Sequence, residues 1–126
     1  EKDAGEVGSN LCVTVMYEID LRDTDKSSPL AEVSVRYADV TGTNREVLLS
    51  VTGQETPTQD TAFASCVAEF ALVLRQSAYR ANASLESVLA RLDDLSDYLA
   101  ADAYKAEFRE LVALARQSGN YDHGTA

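Results

Sequence analysis

The chain has no tryptophan, one histidine, one methionine, two cysteines and two prolines among its 126 residues. Each scarcity removes a class of chemistry. The single histidine, His123, lies near the end of the sequence and has no G-x-S-x-G motif to serve. Hydrolysis by a nucleophile–base triad is therefore poorly supported. Cys12 and Cys66 are too few for a disulfide framework and lack the C-x-x-C spacing of zinc or redox sites. They read as two buried free thiols acting as small hydrophobes, with a Cys12–Cys66 bridge as the alternative if the parent protein is exported. Cations are scarce too: 11 Lys and Arg stand against 21 Asp and Glu, a net charge of -10. Such a chain repels phosphate backbones and anionic headgroups, so neither nucleic acid nor a membrane surface is an expected partner. No run approaches the roughly 18 apolar residues that span a bilayer, so no direct membrane insertion is expected. The opening EKDAGEVGSN lacks the basic start and apolar run of a signal peptide. It has no initiating Met and reads as the start of an excised domain, with any targeting signal expected upstream.

What is present is ordinary globular material, 45% hydrophobic and 25% charged, enough for one core of the size a single domain carries. Period two comes first. Leu11, Val13, Val15, Tyr17 and Ile19 alternate with Cys12, Thr14, Met16 and Glu18, which predicts a strand over 11–19 whose second face is also mildly apolar. After a polar loop ending at Ser28-Pro29, Val33, Val35 and Tyr37 alternate with Glu32, Ser34 and Arg36. A turn around Gly42 and the segment REVLLSV complete a predicted hairpin over 31–51.

Beyond the loop TGQETPTQD the period changes. Phe63, Cys66, Val67, Phe70, Ala71 and Leu74 share one face of a helix starting near Thr58 to Asp60. Ser84 is a natural N-cap for a second helix with Leu85, Val88, Leu89 and Leu92 inward. A third runs from about Ala101 to Gln117, with Tyr104, Phe108, Leu111, Val112 and Ala115 inward and Gly119 as its stop. Strands followed by helices predict an α+β fold, a small mainly antiparallel sheet of about three strands followed by and packed with three α-helices. Residues 1–118 form a single predicted domain and 119–126 a flexible tail.

Reactive groups are thinly spread. Asp93-Asp94, Glu107 and Glu110 fall opposite the apolar stripes and read as solvated helix faces. Asp23, Asp25 and Ser27 give D-x-D-x-S, the opening of a calcium loop, but Ser28 and Ser34 stand where an EF-hand needs Gly and Glu. These three residues are weak metal candidates. Asn82-Ala83-Ser84 matches a glycosylation sequon, although Ser84 is better explained as a helix cap. No catalytic residue, no cofactor and no enzymatic activity are expected.

Four blocks carry a resemblance: DAGEVGSNLCVTVMYEI, AEVSVRYADVTGTNREVLLSV, AFASCVAEFALVLRQSAYRANASLESVL and YKAEFRELVALARQS. In order and spacing, from about Asp3 to Ser118, they resemble the region that follows the von Willebrand factor type A domain in YfbK-type bacterial proteins. The resemblance implies a non-catalytic accessory module supporting protein–protein interaction, with the preceding von Willebrand factor type A domain of the same polypeptide as its first partner. It also implies a cell-envelope location, periplasmic or extracytoplasmic, with the anchor upstream. The adhesion-site loop of that domain, Asp-x-Ser-x-Ser, is missing, since Asp25-Lys26-Ser27-Ser28 has the wrong register. The half-apolar first strand would pack on the neighbouring domain, or make a homodimer through its exposed edge or face. The alternative is a domain that takes a cation or small ligand at the Asp23 to Ser27 loop.

Overall fold

A computed structural model describes residues 7–8, 10–20, 29–53 and 56–121. These residues fall into two compact units, Tyr17–Thr56 and the remainder. The first holds β1 (Ala31–Ala38) and β2 (Asn44–Val51), an antiparallel pair in which Val33 faces Leu49 and Val35 faces Val47. The second holds four helices: α1 (Gln59–Leu74), α2 (Leu85–Asp93), α3 (Ser96–Ala100) and α4 (Ala103–Ser118).

The α+β order and the antiparallel pairing agree with the sequence reading, but the counts differ, with two strands and four helices among the described residues. The predicted strand over 11–19 is corrected: residues 11–20 carry no regular secondary structure, and Leu11, Val13, Val15, Tyr17 and Ile19 are all exposed. Alternation of side chains yields a strand only where a neighbour takes up the backbone hydrogen bonds, and among the described residues no strand does so here. Cys12 is accordingly an exposed free thiol, whereas Cys66 is buried and also free.

The hairpin turn is built by one carboxylate and one glycine. The Asp39 N–H donates to the Thr43 carbonyl at 2.9 Å and the Gly42 N–H to the Asp39 carbonyl at 2.8 Å. That is the three-residue loop closed by a left-handed residue, and Gly42, at φ +78, supplies the conformation that a side chain disfavours. Asp39 Oδ1 accepts from the N–H groups of Thr41 (2.9 Å) and Thr43 (3.0 Å) and from the Thr41 hydroxyl (2.6 Å). Arg45 Nε donates to Oδ2 at 3.0 Å. These donors, the Thr41 hydroxyl first, lower the Asp39 pKa from 3.8 to about 2.

Helices α1, α2 and α4 begin at side-chain N-caps and α4 ends at a glycine, whereas α3 begins at Leu95 with no side-chain cap. Thr58 accepts from the Thr61 N–H, and Ser84 and Ser87 form a reciprocal box at the start of α2, each side chain taking the other's N–H at 3.1 Å. Asp102 accepts from the Tyr104 and Lys105 N–H groups, and Gly119, at φ 65, closes α4 in the left-handed conformation.

The helical core is Cys66 and Val73 from α1, Leu85, Val88, Leu89 and Leu92 from α2, Leu99 from α3 and Val112 from α4. The α2 stripe is as the sequence predicted. Two others are rotated. On α1 the inward residues are Phe63, Cys66, Phe70 and Val73, while Val67 and Ala71 are exposed. On α4 they are Phe108, Val112 and Ala115, while Tyr104 and Leu111 are exposed. Aromatic packing joins α1 to α4: Phe108 meets both Phe63 and Phe70 edge-on, with ring centroids 5.4 Å apart in each case. Helix α3, which periodicity did not predict, is five residues long and still buries Leu99.

Candidate interaction surface

Two polar clusters knit the helical unit, and both consume their reactive groups in structure. In the first, Arg91 of α2 donates through Nη1 to Glu69 Oε2 and through Nη2 to Ser65 Oγ on α1. Ser87 Oγ, already part of the cap, donates to Glu69 Oε1 at 2.8 Å. Cys66 lies fully buried next to this cluster, and burial, opposed by Arg91, raises its thiol pKa. A buried thiol pushed that way is a poor nucleophile.

In the second cluster the Tyr98 hydroxyl of α3 donates to Asp60 Oδ1 at the start of α1 and accepts from Lys105 Nζ of α4 at 2.6 Å. The ammonium also lies 3.9 Å from the Tyr98 ring centroid, a cation–π contact. The hydrogen bond to Tyr98 is the main cause of a raised Lys105 pKa. Three helices are tied together at one point.

The carboxylates that the sequence placed on solvated faces behave so. Asp93 pairs with Arg109, Nη2 to Oδ1 at 2.6 Å, and both side chains are largely exposed. Glu107 and Glu110 are exposed. Asp23, Asp25 and Ser27, the weak metal candidates, lie outside the described residues, as does His123. Among the described residues no three His, Cys, Asp or Glu side chains gather as a metal site. No helix among them is long and apolar enough to cross a membrane.

What the described surface does offer is apolar area. The register of the hairpin puts Ala31, Val33, Val35, Tyr37, Val47, Leu49 and Val51 on one face. Val35 is 49%, Tyr37 50% and Leu49 55% exposed, so the face that ought to be a core is largely open to solvent. Across the strands, the opposite face carries Glu32, Ser34, Arg36 and Glu46. There Ser34 Oγ donates to Glu46 Oε1 at 2.6 Å and Arg36 Nε donates to the same oxygen at 3.1 Å. The exposed segment Leu11 to Ile19 and the outward stripe Tyr104, Leu111 and Leu114 of α4 are the other concentrations of exposed apolar side chains.

Sequence reasoning saw the hairpin residues but assigned their apolar side to a core; the missing signal was the second layer needed to cover it. The two polar clusters it missed altogether, because their members come together from positions as far as 38 residues apart. Taken together these features define an α+β module whose described surface presents apolar contact area. The family described as uncharacterized protein YfbK, C-terminal, matches residues 21–118, and the chain belongs to that family. No curated protein and no solved structure matches the chain.

Proposed function

We propose that this chain is a non-catalytic accessory module of a bacterial cell-envelope protein of the von Willebrand factor type A class, and that it supports protein–protein interaction. The observation behind the proposal is the open apolar face of the hairpin. Single exposed hydrophobes are common, but a contiguous set on a two-stranded ribbon is what an interaction surface requires. Its first partner in this reading is the von Willebrand factor type A domain of the same polypeptide, and the envelope location follows from the same family resemblance. The net charge of -10 favours a protein partner over nucleic acid or an anionic membrane.

The test supplies that domain as a separate chain and titrates it into the 126-residue protein by calorimetry. Replacing Val35 or Leu49 by Asp weakens binding on the order of 10-fold or more, the loss typical of a buried anchor. Binding that is indifferent to both substitutions rejects the hairpin face as the contact. A second reading, cation binding at Asp23, Asp25 and Ser27, has the alternating oxygen ligands of D-x-D-x-S behind it. Calcium titration decides it: the absence of both binding heat and a thermal shift rules out a site there.

A further inference from the structure

We propose that a second copy of this chain pairs with the open edge of β1, forming a four-stranded antiparallel sheet about a two-fold axis at Ser34. The proposal rests on the interaction-module reading of the hairpin and names one occupant for its edge. It begins with backbone parity. Asp39 and Thr43 are bonded at the turn, and in this register the bonded positions recur every second residue. Ala31, Val33, Val35 and Tyr37 therefore turn their N–H and C=O groups toward β2. Glu32, Ser34 and Arg36 turn theirs to the other edge, which among the described residues carries no further strand.

A second β1 can occupy that edge only with even-numbered residues opposite even-numbered residues. One such register is self-complementary. With Ser34 opposite Ser34 of the other copy, Glu32 of each copy faces Arg36 of the other, and on the apolar side Val33 faces Val35 and Ala31 faces Tyr37. Sliding by two residues in total leaves Glu32 opposite Ser34 or Ala38. Sliding by four sets Glu32 against Glu32 or Arg36 against Arg36, which opposes pairing.

The partners are available. Glu32, Ser34 and Arg36 are exposed, and Glu32 has no ion-pair partner among the described residues. Arg36 uses Nε on Glu46, which leaves its terminal nitrogens for a second carboxylate. An isolated two-stranded ribbon is also marginal in water, and a wider sheet with one apolar face is the usual remedy. In the paired sheet the apolar faces of both hairpins lie on one side, so the surface offered to a partner is doubled.

The experiment is sedimentation equilibrium of the full chain and of two charge variants. The wild-type chain shows a monomer–dimer equilibrium. Glu32→Arg and Arg36→Glu each raise the dissociation constant on the order of 10-fold, because each turns two attractive cross-strand pairs into repulsive ones. Mixing the two single variants restores association, since a mixed pair again sets opposite charges face to face. In a Cys12→Ala background, Ser34→Cys forms an intermolecular disulfide on mild oxidation, as directly bonded antiparallel residues have Cα atoms about 5.5 Å apart, within disulfide range. Glu32→Cys does not, lying off the axis. A wild-type chain that stays monomeric, a dimer insensitive to both reversals, or single variants that fail to recover on mixing overturns the proposal. A monomer that still binds the neighbouring domain overturns self-pairing and leaves the interaction-module reading standing.

Discussion

Replacing Leu92 by Ala and, separately, Leu111 by Ala tests the packing of the helical unit most sharply. Both are leucines on helices, and spacing alone predicts both to be inward. Leu92 is 0% exposed at the C-terminal end of the α2 stripe, whereas Leu111 is 51% exposed on the outer side of α4. A fully buried Leu→Ala costs about 2–5 kcal/mol, the lost transfer energy plus the cavity left behind. For a unit of roughly 65 residues the whole stability is about 3–10 kcal/mol, so the first substitution removes a fifth or more of it. At about 4–8 °C per kcal/mol, Tm falls by roughly 8–40 °C. Leu111→Ala removes little buried area and gains slightly in helix propensity, so its cost is under about 1 kcal/mol. Far-UV circular dichroism during thermal and urea unfolding reads both. Equal destabilisation by the two substitutions would refute the rotation of α4 and return Leu111 to the core.

Two further outcomes follow from titratable groups. Asp39 is depressed on folding, so its contribution to the hairpin is present above its ordinary pKa of 3.8 and disappears as pH falls through about 2; amide signals of the turn should broaden across that window, and Asp39→Asn should abolish the transition. For the thiols, Cys12 is exposed and Cys66 is buried with a raised pKa; a disulfide-exchange reagent should modify one thiol per chain quickly and the second only after denaturation, and two fast thiols would contradict the α1 packing.

The readable parts of this fold are those decided by neighbours in sequence. Period two and a glycine at the turn give the hairpin, and Thr58, Ser84 and Gly119 cap helices with their own side chains or backbone, so local chemistry settles each boundary. Rotation of a helix about its axis is different in kind. Val67, Ala71, Tyr104 and Leu111 are as apolar as several residues that turn inward, and which of them face the core is decided by packing between helices, which no local pattern displays. Helix α3 escaped because five residues cannot display a 3.6-residue period. The candidate metal loop, Asp23 to Ser27, lies outside the described residues, so its reading is still that of the sequence.

The places where pattern and packing disagree share one property: exposed apolar side chains. On α1 and α4 they accompany a complete inner stripe, so each helix is already anchored and its outer hydrophobes are ordinary surface. The hairpin has no such excuse. Within the strand pair, each apolar side chain meets only its cross-strand and same-face neighbours, and such pairs contribute roughly 0.2–1 kcal/mol each. That sum is small beside the roughly 1–2 kcal/mol of backbone entropy lost per ordered residue. The pair is held in register by the Asp39 turn and by the Ser34, Arg36 and Glu46 contacts on its polar face, which specify geometry better than they supply stability. A ribbon specified in this way, with its apolar side uncovered, is shaped to be completed by another polypeptide, and the hairpin is accordingly where function in this chain is best sought.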